Sequence, residues 1–210
     1  MKIKINRKKI FVCFSATLIF LNFTARYSIA KCPTRMGSVF PQESFLVIAH
    51  RGSTIKFPEN TIPAFKEALN TDGANSLEVD LSLTKDRKVV LWHDWDPNNP
   101  IAMVRQEKGE EVGKFKPYGF SLVKPRLQKK VSELDFSEFV DKHGYKDKIT
   151  NVKTNLKIPT LQDLIEWAAK QDKLKFLMLK LRVPVDEKYL IPVMVDEIRK
   201  TIDHAHPSPR

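Results

Sequence analysis

Apolar residues along this chain fall into short dense runs, separated by polar stretches and by segments with helical spacing. Residues 45–49 read Phe-Leu-Val-Ile-Ala, a continuous apolar run of the kind that forms a buried strand. Thr61 then predicts a helix N-cap, with Pro63 in the first turn and Ala64, Phe65, Ala68 and Leu69 on one face until about Asn70. Leu77-Glu-Val-Asp-Leu81 alternates strictly and predicts a second strand, and residues 89–92 predict a third after a turn at 84–87. Residues 96–157 are polar, lysine-rich and weakly periodic, an insertion with one helix expected near 131–143. Thr160 and Asp163 resemble a capping box before Leu161, Leu164, Ile165 and Ala168. Residues 176–181 predict a fourth strand, and a last helix is expected over 186–202, disturbed at Pro192. Buried strands separated by helices imply a parallel α/β fold.

The N-terminus carries a different pattern. Lys2, Lys4, Arg7, Lys8 and Lys9 precede an apolar run over 10–23, and Ser28-Ile-Ala30 follows. That order is a secretory signal peptide, so residues 1–30 are expected to be removed and the chain exported to the periplasm or secreted. The run is shorter than the roughly 20 residues that span a bilayer; an uncleaved membrane anchor is the alternative. Residues 31–44 read as a linker, and 45–210 as one domain. The whole chain has a formal charge of +11, but the first thirty residues hold six Lys/Arg and no acid, which leaves the remainder at +5. That mild excess fits an anionic small molecule and gives no reason to expect nucleic acid. Cys13 falls within the signal, so Cys32 would remain alone and no internal disulfide would form.

Candidate chemistry lies at or near the ends of successive strands: His50-Arg51, Glu78-x-Asp80 and His93-Asp94. In a parallel barrel such ends converge on one face. Glu78 and Asp80, two apart on a strand, point to the same side. Two carboxylates on an inner face need a cation or a basic partner, and hard oxygen ligands suit magnesium, calcium or manganese. His50 and His93 could supply the two proton transfers of phosphodiester cleavage, one taking a proton from the attacking hydroxyl and the other protonating the leaving alkoxide. Arg51 could grip a phosphate with two parallel hydrogen bonds.

Ala49-His-Arg-Gly52, Pro58-Glu-Asn-Thr61 with Ala64-Phe65, Leu77-Glu-Val-Asp80 and Val90-Leu-Trp-His-Asp94 together resemble the signature of glycerophosphodiester phosphodiesterases, in order as well as in sequence. Ile158-Pro-Thr-Leu161 resembles the family segment before the fourth strand. The resemblance implies a TIM-type (β/α) barrel of which about the first four strands are present, with an insertion after strand three. It implies His50 and His93 as the acid/base pair, Glu78 and Asp80 as ligands of a divalent cation (Ca2+ or Mg2+), and Arg51, Glu59, Asn60 and Lys180 as the substrate-binding set. The implied reaction is hydrolysis of a small glycerophosphodiester to glycerol 3-phosphate and an alcohol. Met178 stands where the family has a third acidic ligand, so weak metal affinity is expected, a thioether being a poor ligand for a hard cation. A full barrel takes about 250 residues; the expectation here is its front half, with two open sheet edges and an uncovered apolar interior that favour poor stability or self-association, and membrane-surface contact if the N-terminal segment stays as an anchor. The competing function is a catalytically silent remnant or phosphate-binding module of the same fold. A phospholipase D of the sphingomyelinase type shares the His and Glu-x-Asp logic, and the Pro58-Glu-Asn-Thr61 block favours the glycerophosphodiesterase.

Overall fold

The computed structural model describes residues 9–12, 45–102, 114–115, 129–145, 147, 150, 152 and 154–205. Most of the predicted signal, the 31–44 linker, much of the insertion and the last five residues lie outside them. The elements are β1 (Lys9–Val12), β2 (Ile48–His50), α1 (Ile62–Asn70), β3 (Ser76–Leu83), β4 (Val89–Leu91), β5 (Lys114–Phe115), α2 (Phe136–Lys142), β6 (Gly144–Tyr145), α3 (Leu161–Ala168), β7 (Phe176–Leu181) and α4 (Ile191–Ala205). The main sheet runs β1-β7-β3-β2, with β4 pairing β3 on the side; β5 and β6 form a separate small pair.

Strands β2, β3, β7 and β1 are parallel. Between β2, β3 and β7 the connections run through α1 and through the insertion with α3, as parallel pairing requires. Helix α1 begins as its sequence dictates: Thr61 Oγ1 accepts from the backbone N–H of Ala64 at 3.3 Å. Helix α3 begins on a reciprocal box, the Asp163 carboxylate accepting from the Thr160 N–H at 2.8 Å while Thr160 Oγ1 accepts from the Asp163 N–H at 3.2 Å. The core lies between the outer face of the sheet and the helices: Leu77, Val79, Leu81, Leu177 and Leu179 pack with Phe65, Ala68, Leu161, Leu164, Ile165, Met194 and Ile198. The inner face is left to Glu78, Asp80, Met178 and Lys180.

Three expectations need correction. Residues 89–91 do not form a further parallel strand; β4 runs antiparallel to β3, with Leu81 opposite Leu91 and Leu83 opposite Val89. The link at 84–88 is far too short for a parallel crossover and suits a hairpin. Consequently β7, expected as a fourth strand beyond residues 89–92, lies directly beside β3, with Glu78 opposite Met178 and Asp80 opposite Lys180. Pro192 does not disturb the last helix: a 3-10 segment, Val185–Leu190, precedes it, and Pro192 stands in the first turn of α4, where its missing N–H costs nothing. The helix expected near 131–143 is present as a 3-10 turn, Val131–Glu133, followed by α2. Lys9–Val12, inside the predicted signal, lies along the edge of β7 as β1, Lys9 opposite Phe176 and Val12 opposite Leu179. Among the described residues, no helix is long and apolar enough to cross a membrane.

Candidate active site

The site is built on one strand and its two neighbours. Glu78 and Asp80 project from the centre of β3, both buried. On one side β2 ends at His50, whose Nε2 lies 3.6 Å from Glu78 Oε2 and whose side chain is 63% exposed. On the other side, β7 presents Lys180, its Nζ 3.4 Å from Glu78 Oε1 and 4.0 Å from Asp80 Oδ1. The β3–β4 hairpin folds back over the strand end, which brings buried His93 to the Asp80 side.

The loop after β2 turns tightly against α1. Arg51 and Gly52 both take left-handed backbone angles, φ 62° and 84°. A Cβ on Gly52 would stand 2.8 Å from the carbonyl carbon of Ala64, so only glycine lets this turn close against α1. Arg51, a non-glycine residue in a strained conformation, aims its guanidinium inward: Nη1 donates to Glu59 Oε2 at 2.9 Å, and Nε sits 2.8 Å from Asp80 Oδ2. Asn60, also left-handed at φ 55°, clasps Asp80 from below. Its Oδ1 accepts from the Asp80 N–H at 3.0 Å, and its Nδ2 donates to Asp80 Oδ2 at 3.3 Å.

The two carboxylates differ in their surroundings. Asp80 Oδ2 is surrounded by donors, while Glu78 Oε1 and Oε2 and Asp80 Oδ1 are buried without a hydrogen-bond partner. Desolvation, then the neighbouring Asp80 charge, raises the Glu78 pKa above the usual carboxylate range. Burial drives the His93 pKa down to about 4, against the pull of its 2.6 Å contact with Asp94. With Nδ1 donating to Asp94 Oδ1, the neutral ring carries its lone pair at Nε2.

Residues 50–207 match the model of the "Glycerophosphoryl diester phosphodiesterase family". The chain belongs to this family. It is 27% identical over 130 residues to a glycerophosphodiester phosphodiesterase of Bacillus subtilis, across 62% of this chain and 38% of the relative. It is 31% identical over 134 residues to the uncharacterized protein YqiK of the same organism, across 64% and 44%. The chain spans less than half the length of either relative. A solved structure named for the same family, from Silicibacter pomeroyi, superposes with a TM-score of 0.56 at 22% identity, over 79% of this chain and 55% of that one. That likeness supports the fold: a partial (β/α) barrel.

Within this family frame, the structure brings His50, Arg51, Glu59, Asn60, Glu78, Asp80, His93 and Lys180 around one strand end. Glu59 and Asn60 stand behind the others; both are buried, Glu59 against Arg51 and Asn60 against Asp80. The carboxylate pair fits a divalent cation by one test: three buried oxygens that lack a hydrogen-bond donor face the same space as Lys180. Glu78 and Asp80 are the residues that would hold it. The protein ligands stop there, since Met178 is opposite Glu78 and no group of three or more His, Cys, Asp or Glu is gathered for a metal among the described residues.

Two features escaped the sequence reading. Arg182, one step past β7, donates from Nε to the His93 carbonyl at 3.2 Å; extending the Met178-Lys180 alternation by one pair would have found it. Tyr145, from the insertion, is fully buried with an unpartnered hydroxyl, its pKa pushed up by burial and then by Glu59. No local pattern announces that residues 86 positions apart fall close enough for one charge to act on the other.

Proposed function

We propose that this chain carries out metal-dependent hydrolysis of glycerophosphodiesters, releasing glycerol 3-phosphate and an alcohol. The observation that carries the reading is the buried Glu78–Asp80 pair with three undonated oxygens, set between two histidines and beside Arg51 and Lys180. Arg51 and Lys180 supply positive charge where the phosphate would lie. His93, held neutral by burial, accepts a proton through Nε2, and His50, at the open side, is the second proton-transfer group. A Ca2+ or Mg2+ ion held by Glu78 and Asp80 would polarise a phosphoryl oxygen.

The test is release of glycerol 3-phosphate from glycerophosphocholine by the purified chain. His50→Ala or His93→Ala should each lower the rate by about 10²-fold or more; unchanged turnover in both excludes the roles. Met178 beside Glu78 favours a second reading, a phosphate-binding module without turnover. Phosphate binding with no hydrolysis at millimolar calcium or magnesium would select it.

The order of charge, apolar run and small residues over 1–30 supports export to the periplasm or beyond, with an uncleaved membrane anchor as the alternative. N-terminal sequencing of exported protein tests this: a chain beginning at Lys31 supports it and one beginning at Met1 refutes cleavage. Exposed Phe45, Val47 and Ile48 lie at or just before β2, which among the described residues pairs on one side only; they are compatible with self-association or membrane-surface contact. Sedimentation, with and without vesicles, separates these from a monomer.

A further inference from the structure

We infer that Arg182 is a second arginine of the phosphate-binding face, presenting its guanidinium to the substrate beside Lys180. The inference rests on the phosphodiesterase reading of the site and adds to it a residue on the far side of Asp80 from Arg51.

Arg182 follows β7 directly, and the alternation of that strand puts it on the same face as Met178 and Lys180. Its backbone N–H donates to the Leu81 carbonyl at 2.9 Å, which extends the β3–β7 ladder by one step beyond Asp80. Two contacts fix the guanidinium. Nε donates to the His93 carbonyl at 3.2 Å and lies 3.8 Å from Asp80 Oδ1. Lys180 Nζ lies 4.0 Å from that same oxygen, so the two cations share one carboxylate.

Only Nε is used in these contacts. The two Nη groups make no hydrogen bond to the described residues, and the side chain is 29% exposed. A guanidinium anchored at Nε, with its outer fork open, is preorganised for an oxyanion. Arg51 is held differently, with Nη1 on Glu59 and Nε against Asp80 Oδ2. The two arginines thus approach Asp80 through different oxygens, and an anion over this carboxylate would meet positive charge from both sides. This placement also offsets the two acids, for which Met178 supplies no help.

A purely structural Arg182, tying the hairpin to β7, would act through Nε alone. The experiment separates the two roles by titrating the full chain, in chelator, with inorganic phosphate and with glycerol 3-phosphate, by calorimetry. Arg182→Gln keeps a neutral N–H for the His93 carbonyl and removes the charge and fork. It should weaken both anions by on the order of tenfold, with Arg182→Lys between it and the unsubstituted chain. Affinity for Arg182→Gln within twofold of the unsubstituted chain overturns the inference. Arg51→Gln is the control: if it weakens binding while Arg182→Gln does not, the site reading stands and this inference alone falls. No anion binding by the folded unsubstituted chain overturns both. Should Arg182→Gln fail to fold, the Arg182 Nε–H resonance of the unsubstituted chain decides. It should shift as phosphate is added, and an unmoved resonance at saturation overturns the inference.

Discussion

Asp80 and Glu78 sit two residues apart on the same strand face, yet one is wrapped and the other is bare. Asp80 has its N–H and one carboxylate oxygen held by Asn60, and Arg51 lies against that same oxygen. Glu78 has Lys180 Nζ at 3.4 Å and His50 Nε2 at 3.6 Å, and neither oxygen receives a hydrogen bond. The surroundings differ accordingly: Asp80 braces the loop that carries Arg51, while burial disfavours the ionised form of Glu78, a cost that a bound cation would relieve.

The largest effect that would break this contrast is on Asp80. Asp80→Ala removes the shared partner of Arg51, Lys180 and Arg182 and leaves their charges facing one another. It should destabilise the chain by about 4 kcal/mol, the scale for breaking a buried ion pair, in urea unfolding with chelator present. A loss below about 1 kcal/mol would make Asp80 no more than a surface acid.

Acid comes next. His93 has a folded pKa of about 4 against an ordinary 6.5, so the folded state favours the neutral ring. The stability this supplies is full above pH 6.5 and is lost as pH falls towards 4, because the unfolded chain takes up the proton first. The loss should be on the order of 3 kcal/mol relative to His93→Gln, read from urea midpoints at pH 7 and pH 4. Parallel pH curves for the two proteins would show that His93 is not buried as described.

Asn60→Ala should cost about 2 kcal/mol, the penalty for leaving the buried Asp80 N–H unsatisfied. Glu78→Gln should show the smallest effect and the opposite sign. The raised pKa of Glu78 opposes folding at neutral pH, so the neutral amide should stabilise the cation-free chain by on the order of 1 kcal/mol. Destabilisation by Glu78→Gln would mean that Lys180 and His50 already compensate the acid.

Much of this was legible in the sequence because it was local. Thr61, Thr160 and Asp163 marked helix starts through their own side-chain oxygens, and both caps formed. The alternation of 77–81 and 176–181 fixed which side chains face inward. Pairing between strands was not local, and there the reading failed. Nothing in 89–92 states a strand direction except the brevity of the preceding link, and the β7–β3 neighbourhood joins segments about a hundred residues apart. The insertion was read as a polar excursion, yet its Ser132 donates to Glu187 at 2.8 Å, beside Trp95, which precedes the insertion and donates to the same carboxylate at 2.7 Å. That buried knot ties the insertion to the segment after β7, and a single acid in a polar stretch carries no signal of it.

The proposed cation site consists of Glu78 and Asp80 alone, with Met178 and no third carboxylate opposite Glu78, so its affinity should be weak. Calorimetric titration with calcium and magnesium of the unsubstituted chain, Glu78→Gln and Met178→Glu tests it most directly. The account predicts weak binding to the unsubstituted chain, none to Glu78→Gln, and tighter binding to Met178→Glu, whose new carboxylate would stand opposite Glu78. Equal affinity in all three proteins would contradict it.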